Sequence, residues 1–126
     1  MIVIDYQNRQ PIYEQIVDRF QTLIITGALK PDSQIPSVRS LAVELSINPN
    51  TIQKAYAALE QEGFIYPVKG RGNFVSENSD LKTKTQEVFY GTMKRLIRRG
   101  KDLDIGRETL LSKAAEFYEE EPYDRN

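Results

Sequence analysis

Apolar residues recur along this chain at helical spacing in five stretches, interrupted by one pair of short strand-like runs. From Pro11, the residues Ile12, Ile16, Phe20, Leu23 and Ile24 share one face, and Gly27 closes the stretch. Before it, Ile2 to Ile4 alternate briefly, enough for a short candidate strand. After it, Pro31-Asp32 is a turn signal, and Gln34-Ile35 reads as a stub of edge strand ended by Pro36. A second helix follows with Ser37 as its cap; it buries Val38, Leu41, Ala42 and Leu45 and projects Arg39 outwards. A third begins where Asn48 supplies a cap and Pro49 fills the first helical position, where a missing N–H costs nothing. Its Ile52, Ala55, Tyr56 and Leu59 stand at i, i+3, i+4 and i+7, and Gly63 ends it.

The pattern then changes period. Phe64 to Val68 is rich in aromatic and β-branched residues, Lys69-Gly70-Arg71-Gly72 is a glycine-bearing turn, and Asn73 to Val75 returns. This predicts a β-hairpin with a cationic tip. Ser76 to Ser79 is polar and marks a boundary, so the chain divides into residues 1–76 and 77–126. Ser79 is expected to cap a helix from Asp80 to about Arg99, with Leu81, Val88, Phe89, Met93, Leu96 and Ile97 on its apolar side and Gly100 breaking it. A last helix, roughly Gly106 to Glu120, carries Leu110, Leu111, Ala114, Phe117 and Tyr118, and Pro122 ends it. Two helices of this size cannot enclose a core by themselves, so their stripes require the N-terminal domain or a second chain.

The polar face of the third helix changes the picture from fold to chemistry. Asn50, Thr51, Gln53 and Lys54 all hydrogen-bond, and none is negatively charged. A helix with an apolar back and a donor-rich front near its N-terminus suits insertion into a DNA major groove. Two helices joined by a tight turn and followed by a basic hairpin read as a winged helix-turn-helix.

Composition limits the alternatives. The chain has 126 residues, no cysteine and no histidine, which excludes disulfides and thiolate chemistry and removes the commonest general base and metal ligand. No metal site and no cofactor are expected. The N-terminal apolar run is too short for a secretory signal and no segment approaches a membrane span, so the reading is a soluble cytoplasmic protein with no membrane partner. The net charge of −1 runs against the usual basic excess of DNA binders. Position outweighs the sum: the acidic run Glu119-Glu120-Glu121 ends the last helix, whereas Arg39, Lys54, Lys69 and Arg71 lie in or beside the helix pair.

Three groups of residues carry a family resemblance. Pro11-Ile12-Tyr13-Glu14-Gln15-Ile16, then Ile35-Pro36-Ser37-Val38-Arg39-Ser40-Leu41-Ala42, then Asn48-Pro49-Asn50-Thr51-Ile52-Gln53-Lys54-Ala55-Tyr56 resemble the GntR family of bacterial transcription regulators. The close of the domain, Leu59 to Ile65 with Gly70-Arg71-Gly72, is similar as well, so the likeness covers about residues 10 to 76. The short two-helix tail resembles the YtrA-type subfamily, whose members lack a large effector-binding domain. The resemblance implies DNA binding as a homodimer through Arg39, the start of the Pro49 helix and the Gly70-Arg71-Gly72 wing. The candidate DNA-contacting set is Ser37, Arg39, Asn48, Asn50, Thr51, Gln53, Lys54, Lys69, Gly70, Arg71 and Gly72. The candidate dimerisation set is Leu81, Val88, Phe89, Met93, Leu96, Ile97, Leu110, Leu111, Phe117 and Tyr118. Two departures stand out: Pro31-Asp32 replaces a frequent Pro-Gly, and Pro49 and Gln53 stand where many members carry arginine. Arginine reads guanine well, whereas Gln53 and Asn50 suit adenine.

The expected fold is mainly α with a small β-hairpin wing, a winged helix-turn-helix domain followed by a two-helix dimerisation hairpin. The expected function is a homodimeric repressor on an inverted-repeat, double-stranded DNA operator. A small-molecule effector is compatible with this, though nothing in the sequence indicates one. The alternative is a winged helix that docks on protein, which would prefer exposed apolar residues over Asn50, Gln53 and Lys54. An enzyme has least support, because the carboxylates have no histidine, cysteine or phosphate-binding glycine loop beside them.

Overall fold

A computed structural model describes residues 2–120; the expected helix stop at Pro122 and the end of the acidic run at Glu121 lie outside the described residues. The described chain forms two compact units that meet at Leu81 and Lys82. The first holds α1 (Ile12–Ile25), α2 (Val38–Leu45), α3 (Pro49–Gln61), β1 (Ile65–Val68) and β2 (Gly72–Val75). The second holds most of α4 (Leu81–Asp102) and all of α5 (Arg107–Glu119).

In the first unit, α3 packs against both α1 and α2 and hands the chain to the hairpin. The fully buried side chains Ile16, Phe20, Leu41, Ile52, Leu59 and Val75 come from all four of those elements, as the sequence periodicity requires. Phe20 meets Tyr56 edge to face at 5.6 Å, and Tyr56 donates its hydroxyl proton to the Pro36 carbonyl at 2.8 Å. Ser37 Oγ accepts the Ser40 N–H and Asn48 Oδ1 accepts the Asn50 N–H, so both expected caps form. Strands β1 and β2 pair antiparallel from Ile65↔Val75 to Val68↔Gly72. The Gln34 stub bridges to Phe74 on the other edge of β2, with Ile35 N–H donating to Asn73 O and Val75 N–H donating to Ser33 O.

Four local expectations are corrected. Residues 2–4 form no strand; Ile2 nevertheless enters the core, because Gln15 on α1 clasps the Asp5 backbone by accepting its N–H and donating to its carbonyl. Helix α4 begins at Leu81, one residue later than expected, after a turn in which Asn78 Oδ1 accepts the Asp80 N–H at 2.9 Å. Leu81, expected at a dimer contact, is only 4% exposed in the core of the first unit. Gly100 lies inside α4 and does not break it. Its burial has a packing cause, since a Cβ there would lie 3.1 Å from Leu110 Cδ1 on α5. The helix stops at Asp104 instead, whose φ of 63° places it in the left-handed region.

Candidate nucleic-acid interface

The front of α3 carries Asn50, Gln53 and Lys54 exposed and Thr51 half-buried, opposite the buried Ile52, Ala55, Tyr56 and Leu59. Asn48 spends its side-chain oxygen on the cap, which leaves its amide NH2 as the outward donor. Lys54 Nζ sits 4.0 Å from the Tyr13 ring centroid on α1, a cation–π contact that anchors its charge at the α1 side of α3. Arg39 is exposed in the first turn of α2, directly after the Ser37 cap. Lys69, Gly70, Arg71 and Gly72 are exposed at the hairpin tip. The turn closes through Arg71 N–H donating to Val68 O at 2.9 Å, with Gly70 left-handed at φ 76°.

One segment, residues 32–37, joins these parts. Its start is a type II turn in which Ser33 N–H donates to Lys30 O and Asp32 occupies the left-handed position at φ 65°. That position explains why glycine is frequent after the proline in similar sequences. Asp32 offsets the conformational cost by accepting the Tyr66 hydroxyl at 2.7 Å, a bond that raises the Tyr66 pKa; Tyr66 in turn stacks on Phe74. Gln34 Nε2 then donates to Arg71 O at 2.6 Å, so the segment holds the wing at its base and its tip. At its other end, the Pro36 carbonyl is held by Tyr56 of α3, and Ser37 caps the helix that bears Arg39. The wing, α2 and α3 are thereby fastened to one short stretch of backbone.

Sequence reasoning had no access to Gln34, Tyr13 or Asp32 as parts of this site. Gln34 is one polar residue in a stub too short to show alternation, and its partner lies 37 positions away. Gly72 did carry a signal: its φ is 115°, and a Cβ there would lie 2.8 Å from Gln34 Nε2.

Residues 12–75 match the bacterial regulatory proteins of the gntR family. The chain belongs to the GntR family. It is 48% identical over 79 residues to the HTH-type transcriptional repressor YtrA of Bacillus subtilis (strain 168), a match that covers 63% of this chain and 61% of that repressor's length. It is also similar, at 32% identity and a TM-score of 0.73, to a solved GntR family transcriptional regulator from Listeria monocytogenes, over 90% of this chain and 98% of that one. AraR(DBD) in complex with operator ORE1 superimposes with a TM-score of 0.51 at 29% identity, covering 60% of this chain and 93% of that one. As a GntR protein the chain is a transcriptional regulator and not an enzyme. The winged helix-turn-helix architecture expected from its sequence is the architecture found. Among the described residues, no helix is long and apolar enough to cross a membrane, and no cluster of carboxylates could hold a metal ion.

Proposed function

We propose that this GntR protein is a homodimeric transcriptional repressor that binds an inverted-repeat operator in the cytoplasm. The observation that carries the reading is the shared anchoring of α2, α3 and the wing by residues 32–37. It presents the donor-rich front of α3 and a cationic hairpin tip in one fixed geometry. The AraR(DBD) operator complex, a similar fold bound to DNA, supports it. In this reading Gln53 and Asn50 read base edges, their amides each able to make two bonds to adenine. Arg39, Lys54, Lys69 and Arg71 grip the phosphate backbone, with Ser37, Asn48 and Thr51 donating from the helix starts. Lys54 belongs with the backbone contacts because its charge rests over Tyr13 at the side of α3.

The second unit supplies the dimer. Val88, Phe89, Met93, Leu96, Ile97, Leu111, Phe117 and Tyr118 are large apolar side chains exposed on α4 and α5, and Leu110 is half-buried. Pairing with the same surface of a second copy would bury them around a two-fold axis, as in a small helical bundle. Two copies of α3 would then face half-sites about 34–36 Å apart or a multiple of that distance. The protein-docking alternative is disfavoured, because none of the exposed large apolar residues lies on α3.

The test is operator binding by the Gln53→Ala variant. It is expected to lose about 1–3 kcal/mol on an inverted repeat drawn from upstream of its own gene, and little on random DNA. Equal binding of the inverted repeat by variant and parent would refute the assignment. Binding that does not weaken as salt rises would favour protein docking instead.

A further inference from the structure

The wing tip is not held by its hairpin alone. The last cross-strand pair is Val68↔Gly72, so Lys69, Gly70 and Arg71 extend beyond the ladder. A three-residue glycine-bearing tip with exposed charges would ordinarily sample many geometries, and ordering it on DNA would cost conformational entropy. Here both backbone polar groups of Arg71 are used: its N–H closes the turn on Val68, and its carbonyl accepts Gln34 Nε2. With the backbone fixed at that residue, only the Arg71 side chain remains to be placed. Gln34 is itself fixed, because Ile35 N–H donates to Asn73 O and Gln34 bridges to Phe74 on β2. Gly72 completes the fit, since any side chain there would displace the Gln34 amide.

We infer that Gln34 is a positioning residue for DNA binding: its amide holds the Arg71 backbone so that the wing meets a phosphate already in place. The inference rests on the proposed wing contact and adds the group that prearranges it. Gln34 touches no base or phosphate in this assignment; it acts through Arg71 alone.

The test is a double-mutant cycle in the full-length protein on a DNA site that the parent binds. Gln34→Met keeps the length of the side chain, removes the donor and adds no charge; Gln34→Ala repeats the measurement without the methionine bulk. Arg71→Ala should weaken binding and lower the slope of log affinity against log salt by about one phosphate contact. Either Gln34 variant should weaken binding by about three- to tenfold, the worth of one hydrogen bond, and reduce the same slope. In the Arg71→Ala background it should change almost nothing, because the group it positions is gone. The thermal unfolding midpoint should stay near the parent's, as Gln34 is exposed. An equal loss in both backgrounds, or a fall in midpoint that tracks the loss, would overturn the inference and leave the wing reading standing. So would parent-like binding by the Gln34 variants alongside a clear loss in Arg71→Ala. If Arg71→Ala binds and responds to salt like the parent, the wing contact fails and the inference fails with it.

Discussion

Tyr56 shows how one side chain serves both packing and site. Its ring fills the core against Phe20, and its hydroxyl leaves that core only to donate to Pro36 O, at the point where the chain turns into α2. Burial first, and the nearby Glu44 carboxylate second, raise its pKa well above the usual phenol value. An acid whose pKa is higher in the folded chain keeps its proton after the unfolded chain has lost it. Its contribution is therefore whole below about pH 10 and declines as pH rises past that value. Tyr56→Phe should cost about 1–2 kcal/mol at neutral pH, by leaving the Pro36 carbonyl without its donor. In urea melts followed from pH 8 to 11, the parent should lose stability above about pH 10 more steeply than Tyr56→Phe. Parallel curves would show that Tyr56 is not the titrating group.

At the scale of elements, three helices end in the same way. The N–H groups of Phe64 and Gly63 close α3 on Leu59 O and Glu60 O; those of Ile47 and Ser46 close α2 on Ala42 O and Val43 O. Those of Ile105 and Asp104 close α4 on Gly100 O and Lys101 O. Each pair of bonds is a Schellman motif, and each needs one residue in the left-handed region. Glycine takes that role in α3, but Ser46 takes it at φ 54° and Asp104 at φ 63°. Left-handed backbone costs a serine or aspartate part of what glycine avoids. Ser46→Gly and Asp104→Gly should each stabilise the fold by about 0.5–1 kcal/mol once the greater freedom of the unfolded glycine is subtracted. Denaturant melts would check this, and a lower midpoint for either would mean that its side chain does more than turn the chain. The same exchange at Asp32 should not help, because Asp32 also accepts the Tyr66 hydroxyl.

For the whole molecule, the two units divide the work that the proposed function requires. The first has a closed core; the second exposes apolar surface that water disfavours, with Phe89 64% and Leu96 69% exposed. Phe89→Glu combined with Leu96→Glu should yield a monomer by sedimentation with an unchanged far-UV spectrum for the first unit. It should retain only weak, half-site binding to an inverted-repeat operator. A double variant that remains a dimer would place the pairing surface elsewhere. Because Leu81 belongs to the first core, a stable DNA-binding fragment should include it, and one ending at Ser76 should be less stable.

The sequence by itself determined the helices, both caps at Ser37 and Asn48, the hairpin and its cationic tip. Each follows from local causes: a 3.6-residue apolar period, short polar cap side chains, and glycines at a turn. It also carried the family, through motifs that recur in order between residues 12 and 75. Tertiary structure alone decided where Gly100 and Leu81 belong. A glycine in a helix or a leucine at a helix start has no local preference strong enough to reveal a contact made elsewhere in the chain. It also decided that residues 32–37 are the joint of the site. Gln34 with Arg71, Asp32 with Tyr66 and Tyr56 with Pro36 are 37, 34 and 20 residues apart. Bonds at such separations form only once the core has brought the segments together, so no local pattern records them.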